Sequence, residues 1–175
     1  PAAPKRPRPG GTPADQTPRV VEMPKNPDAQ TVLVLGDIEA AGLAGGLEQA
    51  FAEEPSLEVA TKVKNTTGLV RDGEADWIAQ APKIIADAEP DFVVTMIGIN
   101  DWQPITPPGG KPLEPGGDEW NRLYGERIDR YVAALKAAGK PFWWVGLPPT
   151  ADADLGPTRR AARNFNRQAR HPDWL

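Results

Sequence analysis

Cysteine is absent from this chain, histidine occurs once (His171) and serine once (Ser56). Without cysteine there are no disulfides and no thiolate nucleophile, and a zinc site built from three or four Cys and His ligands is excluded. A Ser-His catalytic pair would have to join Ser56 to His171, and neither residue has neighbours that suggest one. No apolar run is long enough to span a bilayer. An excess of positive charge is also missing: the formal net charge is -4, which argues against a nucleic-acid partner, because affinity for phosphate backbones comes from clustered Lys and Arg.

What is present fits one domain of ordinary size in 175 residues. Proline is unevenly spread. Eight of the 21 prolines fall in residues 1–30, which carry +2, so the remaining residues carry -6. A stretch such as PAAPKRPRPGGTPADQTPRV cannot bury enough apolar surface to offset its ordering entropy, and residues 1–30 are expected to be an extended, disordered linker. The first residue is proline, so the chain reads as a processed piece, and whatever precedes it lies outside this sequence.

Regular periodicity begins after Gln30. Thr31 to Leu35 (TVLVL) has the uninterrupted apolar pattern of a strand buried on both faces. Leu43 to Glu53 follows as a helix with Leu43, Leu47, Ala50 and Phe51 on one side. Leu57 to Val63 alternates as an edge strand does. Asp76 caps a helix carrying Trp77, Ala81, Ile84, Ile85 and Ala88 at helical spacing. Asp91 to Ile97 is a third strand. Asp118 to Ala138 forms the longest helix, striped by Trp120, Tyr124, Ile128, Tyr131 and Leu135 and stopped by Gly139; Phe142 to Leu147 is the fourth strand. Trp77, Trp120, Trp143 and Trp144 are all expected in the core, Trp143 and Trp144 on opposite sheet faces.

Strands alternating with helices predict an α/β fold, a parallel sheet covered on both faces. Ligands of such sheets bind beyond the carboxyl ends of the strands. The residues there are Gly36-Asp37-Ile38-Glu39, Asn65-Thr66-Thr67-Gly68, Gly98-Ile99-Asn100-Asp101 and Pro148-Pro149-Thr150. Gly-x-Asn-Asp can be a simple turn and Asp37 a helix cap. Alternatively, Asp37, Glu39 and Asp101 would meet at the ends of adjacent strands and hold Mg²⁺, as in a receiver-like or phosphatase-like domain with Thr150 as its later hydroxyl. Against this, no lysine follows a fifth strand, and Glu39 breaks Asp-x-Asp. The glycines Gly36, Gly42, Gly45 and Gly46 match neither nucleotide-binding spacing. No cofactor is expected.

The loops, taken together with VLVLGD, GLAGGLEQAF, NTTGLVRD, PDFVVTMIGIND, DEWNRLYGERID and AALKAAGKPFWWVGLPP, resemble the SGNH, or GDSL-like, hydrolases, in particular a bacterial cell-envelope branch with a Pro-rich linker. The resemblance covers residues 31–150 and implies a flavodoxin-like fold, hydrolysis of acyl or acetyl esters of lipids, carbohydrates or small molecules, and a periplasmic or envelope location. It places the nucleophile position at Ile38 and the oxyanion-hole positions at Gly68 and Asn100; from their places in the same loops, Asp37, Thr67, Asp101 and Trp102 are the candidate ligand-binding residues. The family's Asp-x-x-His does not occur, and isoleucine has neither lone pair nor proton to give. Thr66 or Thr67 would need a histidine base that the sequence does not supply. Loss of a triad leaves at best about a thousandfold to ten-thousandfold over water. The expectation is therefore an inactive relative that binds an acylated glycan, a lipid or a small ester, with Ile38 filling the pocket; the rival is an active ester hydrolase.

Residues 151–175 depart from the family and are rich in arginine (Arg159, Arg160, Arg163, Arg167, Arg170), a candidate solvated helix. With a fifth strand missing, Phe142 to Val145 would become an apolar edge, which predicts self-association there.

Overall fold

A computed structural model describes residues 22–70 and 76–148. The linker expected over residues 1–30 falls mostly outside these, as do Pro149, Thr150, His171 and the arginine-rich segment 151–175. The described elements alternate in chain order: β1 (Gln30–Gly36), α1 (Ile38–Ala50), β2 (Leu57–Val63), α2 (Trp77–Ala88), β3 (Phe92–Met96), α3 (Asp118–Ala137) and β4 (Phe142–Trp144). The four strands make one sheet in the order β2-β1-β3-β4, and every pair is parallel. Parallel neighbours need crossovers, and the helices supply them. β1 and β3 lie inside the sheet, as their continuous apolar runs require, and the alternating β2 lies at an edge.

Side-chain alternation divides the core in two. Leu33 and Leu35 of β1 and Val93 of β3 pack with Trp77, Ala81 and Ile85 of α2 and Trp120, Ile128, Tyr131 and Leu135 of α3. On the opposite face Val34 and Met96 pack with Ala40 and Ala44 of α1. Trp77 and Trp120 are thus core residues. Thr95, whose hydroxyl would be costly to bury alone, pairs with the Tyr131 hydroxyl at 2.8 Å.

Two elements differ from expectation. α1 begins at Ile38, directly after the strand, because the Asp37 carboxylate accepts the Glu39 N–H and caps it there. Its buried residues are Ala40 and Ala44, and small residues bring it close to the sheet while Leu43 and Leu47 are only half-buried. β4 stops at Trp144, three residues short of the expected end. Trp144 packs edge-on against Tyr131, but Trp143 is 53% exposed and not in the core. Its ring rests at 5.9 Å on that of Phe92.

Between β3 and α3 the chain makes a proline- and glycine-rich excursion. A single antiparallel bridge, Ile105 to Leu113, closes its base, and Ile105 is buried beneath it.

Candidate functional site

The loops after β1, β2 and β3 meet at one end of the sheet. Gly36 ends β1 with φ +146°, and a Cβ there would lie 1.8 Å from the Met96 carbonyl oxygen, so only glycine lets β1 and β3 close up at this point. Asp37 follows, fully buried. One carboxylate oxygen caps α1; the other accepts the N–H groups of Gly98 (2.7 Å) and Ile99 (3.0 Å). Burial raises its pKa to about 6, against the opposing pull of these three backbone donors.

The second and third loops are bound to each other more densely. The Asn100 amide donates to the carbonyls of Asn65 (3.0 Å) and Thr67 (2.8 Å). Thr67, buried, donates its hydroxyl proton to the Lys64 carbonyl and accepts from the Trp77 indole at 2.8 Å. Asp101, also buried, accepts the Val70 N–H at 3.2 Å and the Tyr124 hydroxyl at 2.7 Å. Arg127 lies near enough to act on Asp101 electrostatically and donates to the Leu69 carbonyl at 3.0 Å. Burial raises the Asp101 pKa, opposed by Tyr124, the Leu69 and Val70 N–H groups and Arg127. A Cβ on Gly68 would sit 1.9 Å from an Asp101 carboxylate oxygen, so glycine is needed here for close approach. Trp102 stands half-buried beside these loops, edge-on to Trp120 at 5.6 Å, and Trp120 stacks on Tyr124 at 4.9 Å. The Trp120 indole donates to the Gln103 carbonyl at 2.8 Å, which ties the start of the excursion to α3.

The structure therefore brings together Asp37, Thr67, Gly68, Asn100 and Asp101, with Trp102 at their side. Ile38, expected to fill a pocket, is instead 46% exposed at the head of α1. Among the described residues, the backbone N–H groups of Ile38 and Gly68 have no acceptor, whereas both donors of the Asn100 side chain are engaged. Among the described residues no three acidic side chains are grouped as metal ligands, because Asp37 and Asp101 are directed at backbone donors and Tyr124. Ser56 is spent on Glu54, before the start of β2, and Thr66 is exposed.

Sequence reasoning missed Tyr124 and Arg127 as parts of this site. The signal was available: Arg127 interrupts the apolar stripe of α3 between Tyr124 and Ile128, and a buried arginine needs carboxylate or carbonyl partners.

Comparison with known proteins adds family and fold. Residues 31–171 match the model of a family described as protein of unknown function (DUF459). No curated protein sequence matches the chain. Among solved structures, the chain is similar to a catalytic mutant of an acetylxylan esterase from Geobacillus stearothermophilus, with 16% identity, 85% of this chain and 75% of that one covered, and a TM-score of 0.50. It is also similar to LAE5, an alpha/beta hydrolase enzyme from the metagenome of Lake Arreo, Spain, at 15% identity, 85% and 74% coverage and a TM-score of 0.51. The lipase/acylhydrolase from Enterococcus faecalis gives 15% identity, 79% and 72% coverage and a TM-score of 0.50.

Proposed function

The chain belongs to the DUF459 family and has an SGNH-like α/β fold, and from that premise we propose that it binds, without hydrolysing, a ligand bearing an acyl ester at the ends of β1, β2 and β3. One observation carries the reading: the position that the family resemblance assigns to a nucleophile holds Ile38, which is exposed and chemically inert, while the loops around it are tightly organised. Nucleophilic catalysis needs an attacking atom with a base in hydrogen-bond reach, and the isoleucine side chain supplies no attacking atom. The N–H group of Ile38, which has no acceptor among the described residues, is suited to an ester or carboxylate oxygen, and the exposed Ile38 side chain to its alkyl part. The ligand classes that fit are an acylated glycan, a lipid and a small ester, in the setting of the cell envelope. No helix among the described residues is long and apolar enough to cross a membrane.

Pairing of two copies along Phe142 to Val145 is a weaker element of this reading, since β4 has only three residues and short edges are poor templates.

The test combines p-nitrophenyl acetate and acetylated xylo-oligosaccharides as substrates with calorimetric titration of the same sugars. The expected result is no turnover above buffer, by the native chain or by Ile38→Ser, together with binding that Ile38→Asp weakens. Turnover by the native chain would establish the rival, an active ester hydrolase. Neither turnover nor binding would remove both.

A further inference from the structure

An aromatic ring recognises a ligand best when it is fixed before the ligand arrives, because little rotamer entropy is then lost on binding. Trp102 meets that condition. It is half-buried beside the candidate site and held from two directions. Trp120, in the first turn of α3, contacts it edge-on with ring centroids 5.6 Å apart, and Gly116 lies against the far end of the indole, where a Cβ would come within 3.1 Å. The φ of Gly116 is +88°, so glycine both permits the turn and lets the backbone approach the ring. Gln103, the next residue, is fixed at its backbone and at its side chain: its carbonyl accepts the Trp120 indole N–H, and its amide donates to the Asn100 carbonyl. The surroundings are polar. The Asn100 amide holds the carbonyls of Asn65 and Thr67, which brings the exposed Asn65 and Thr66 to a point two residues from Trp102.

We infer that Trp102 is the stacking platform for a pyranose ring, so that the ligand of the loop site is an acylated glycan and not a lipid. The inference rests on the reading that an ester-bearing ligand binds at these loops. A pyranose has a face of C–H bonds and a rim of hydroxyls, and its match is a fixed aromatic surface with amide and hydroxyl groups at the margin. Trp102 gives the surface, and Asn65 and Thr66 the margin. An alkyl chain would instead need a run of apolar side chains, and the neighbours of Trp102 in the chain, Asp101 and Gln103, are polar. Ile38, exposed at the head of α1, takes the short acyl group.

Calorimetric titration of the full chain with xylohexaose and with acetylated xylohexaose separates the sugar from the ester. The native chain is expected to bind both, the acetylated form more tightly. Trp102→Ala should weaken both roughly tenfold, Trp102→Phe, which keeps a ring, clearly less, and Ile38→Asp only the acetylated form. In the native chain labelled with 5-fluorotryptophan, the fluorine resonance of Trp102, identified by its absence from Trp102→Phe, should move on addition of xylohexaose while that of Trp143 stays. This second measurement uses the native chain and decides the matter even where Trp102→Ala fails to fold. Unchanged affinity in a folded Trp102→Ala, or a Trp102 resonance that does not move, would overturn the platform; the ester reading would survive if Ile38→Asp still weakened the acetylated sugar. A moving Trp102 resonance with equal affinity for the two sugars would support the platform and count against the ester reading. Binding of neither sugar would overturn both.

Discussion

The two sides of the candidate site are built differently. The loops after β2 and β3 are locked together by the buried Asp101 with Tyr124, Val70 and Arg127, and by the half-buried Asn100 with Asn65 and Thr67. At the head of α1, in contrast, Ile38 rests exposed next to the buried Asp37. One side is fixed by a dense set of hydrogen bonds, and the other presents a solvated hydrocarbon side chain. Stability and chemistry are therefore separable here, residue by residue.

Mutations on the locked side should show the largest effects. Asp101→Ala strands the Tyr124 hydroxyl, the Val70 N–H and the charge of Arg127 in the interior, and a loss of about 3–5 kcal/mol is expected in urea unfolding. Gly68→Ala drives a methyl group into the Asp101 carboxylate, whose surroundings are too packed to yield, for a loss of about 2–4 kcal/mol. A smaller loss, about 1–2 kcal/mol, is expected of Tyr124→Phe, which keeps the ring stack on Trp120 and removes one donor.

Asp37 joins the two sides, and its pH dependence sharpens the contrast. Its native pKa of about 6 lies above the ordinary value of 3.8, so the folded state holds a proton that the unfolded state has already lost. The contribution is fully present below pH 3.8 and disappears as pH rises to about 6. Unfolding free energy followed across that window should fall more steeply in the native chain than in Asp37→Asn; parallel profiles would show that the carboxyl ionises as freely as in solvent. Last in size is Ile38→Ser. The side chain is largely solvated, and a change within about 0.5 kcal/mol is expected by thermal unfolding. A large loss would mean that Ile38 is part of the structure and not of the site surface.

Much of this was legible in the residues, for physical reasons that can be named. TVLVL can be buried on two faces and little else, and the edge strand β2 announced itself by alternation. Asp76 stood at the head of an apolar helical stripe and caps α2 through Ile78 and Ala79. The start of α1 was obscured because its sheet-facing residues are alanines, which carry little hydrophobic contrast with the glycines beside them. Trp143 was misplaced because an apolar run normally marks burial on both faces, while at β4 one face has no helix over it among the described residues. At the site, the order of loops was readable, but the engagement of Asn100 with two carbonyls was not, since nothing in a sequence fixes where an amide points.

The bridge from Ile105 to Leu113 has a consequence for how such chains can vary. It pinches the proline- and glycine-rich excursion at its base, so the tip, Pro107 to Lys111, can change length without disturbing Ile105 or the tryptophan beneath the first turn of α3. Closing a loop of twice the length costs only about 0.6 kcal/mol. Relatives are free to lengthen, shorten or decorate this tip, and a peptide tag grafted there would be carried clear of the sheet.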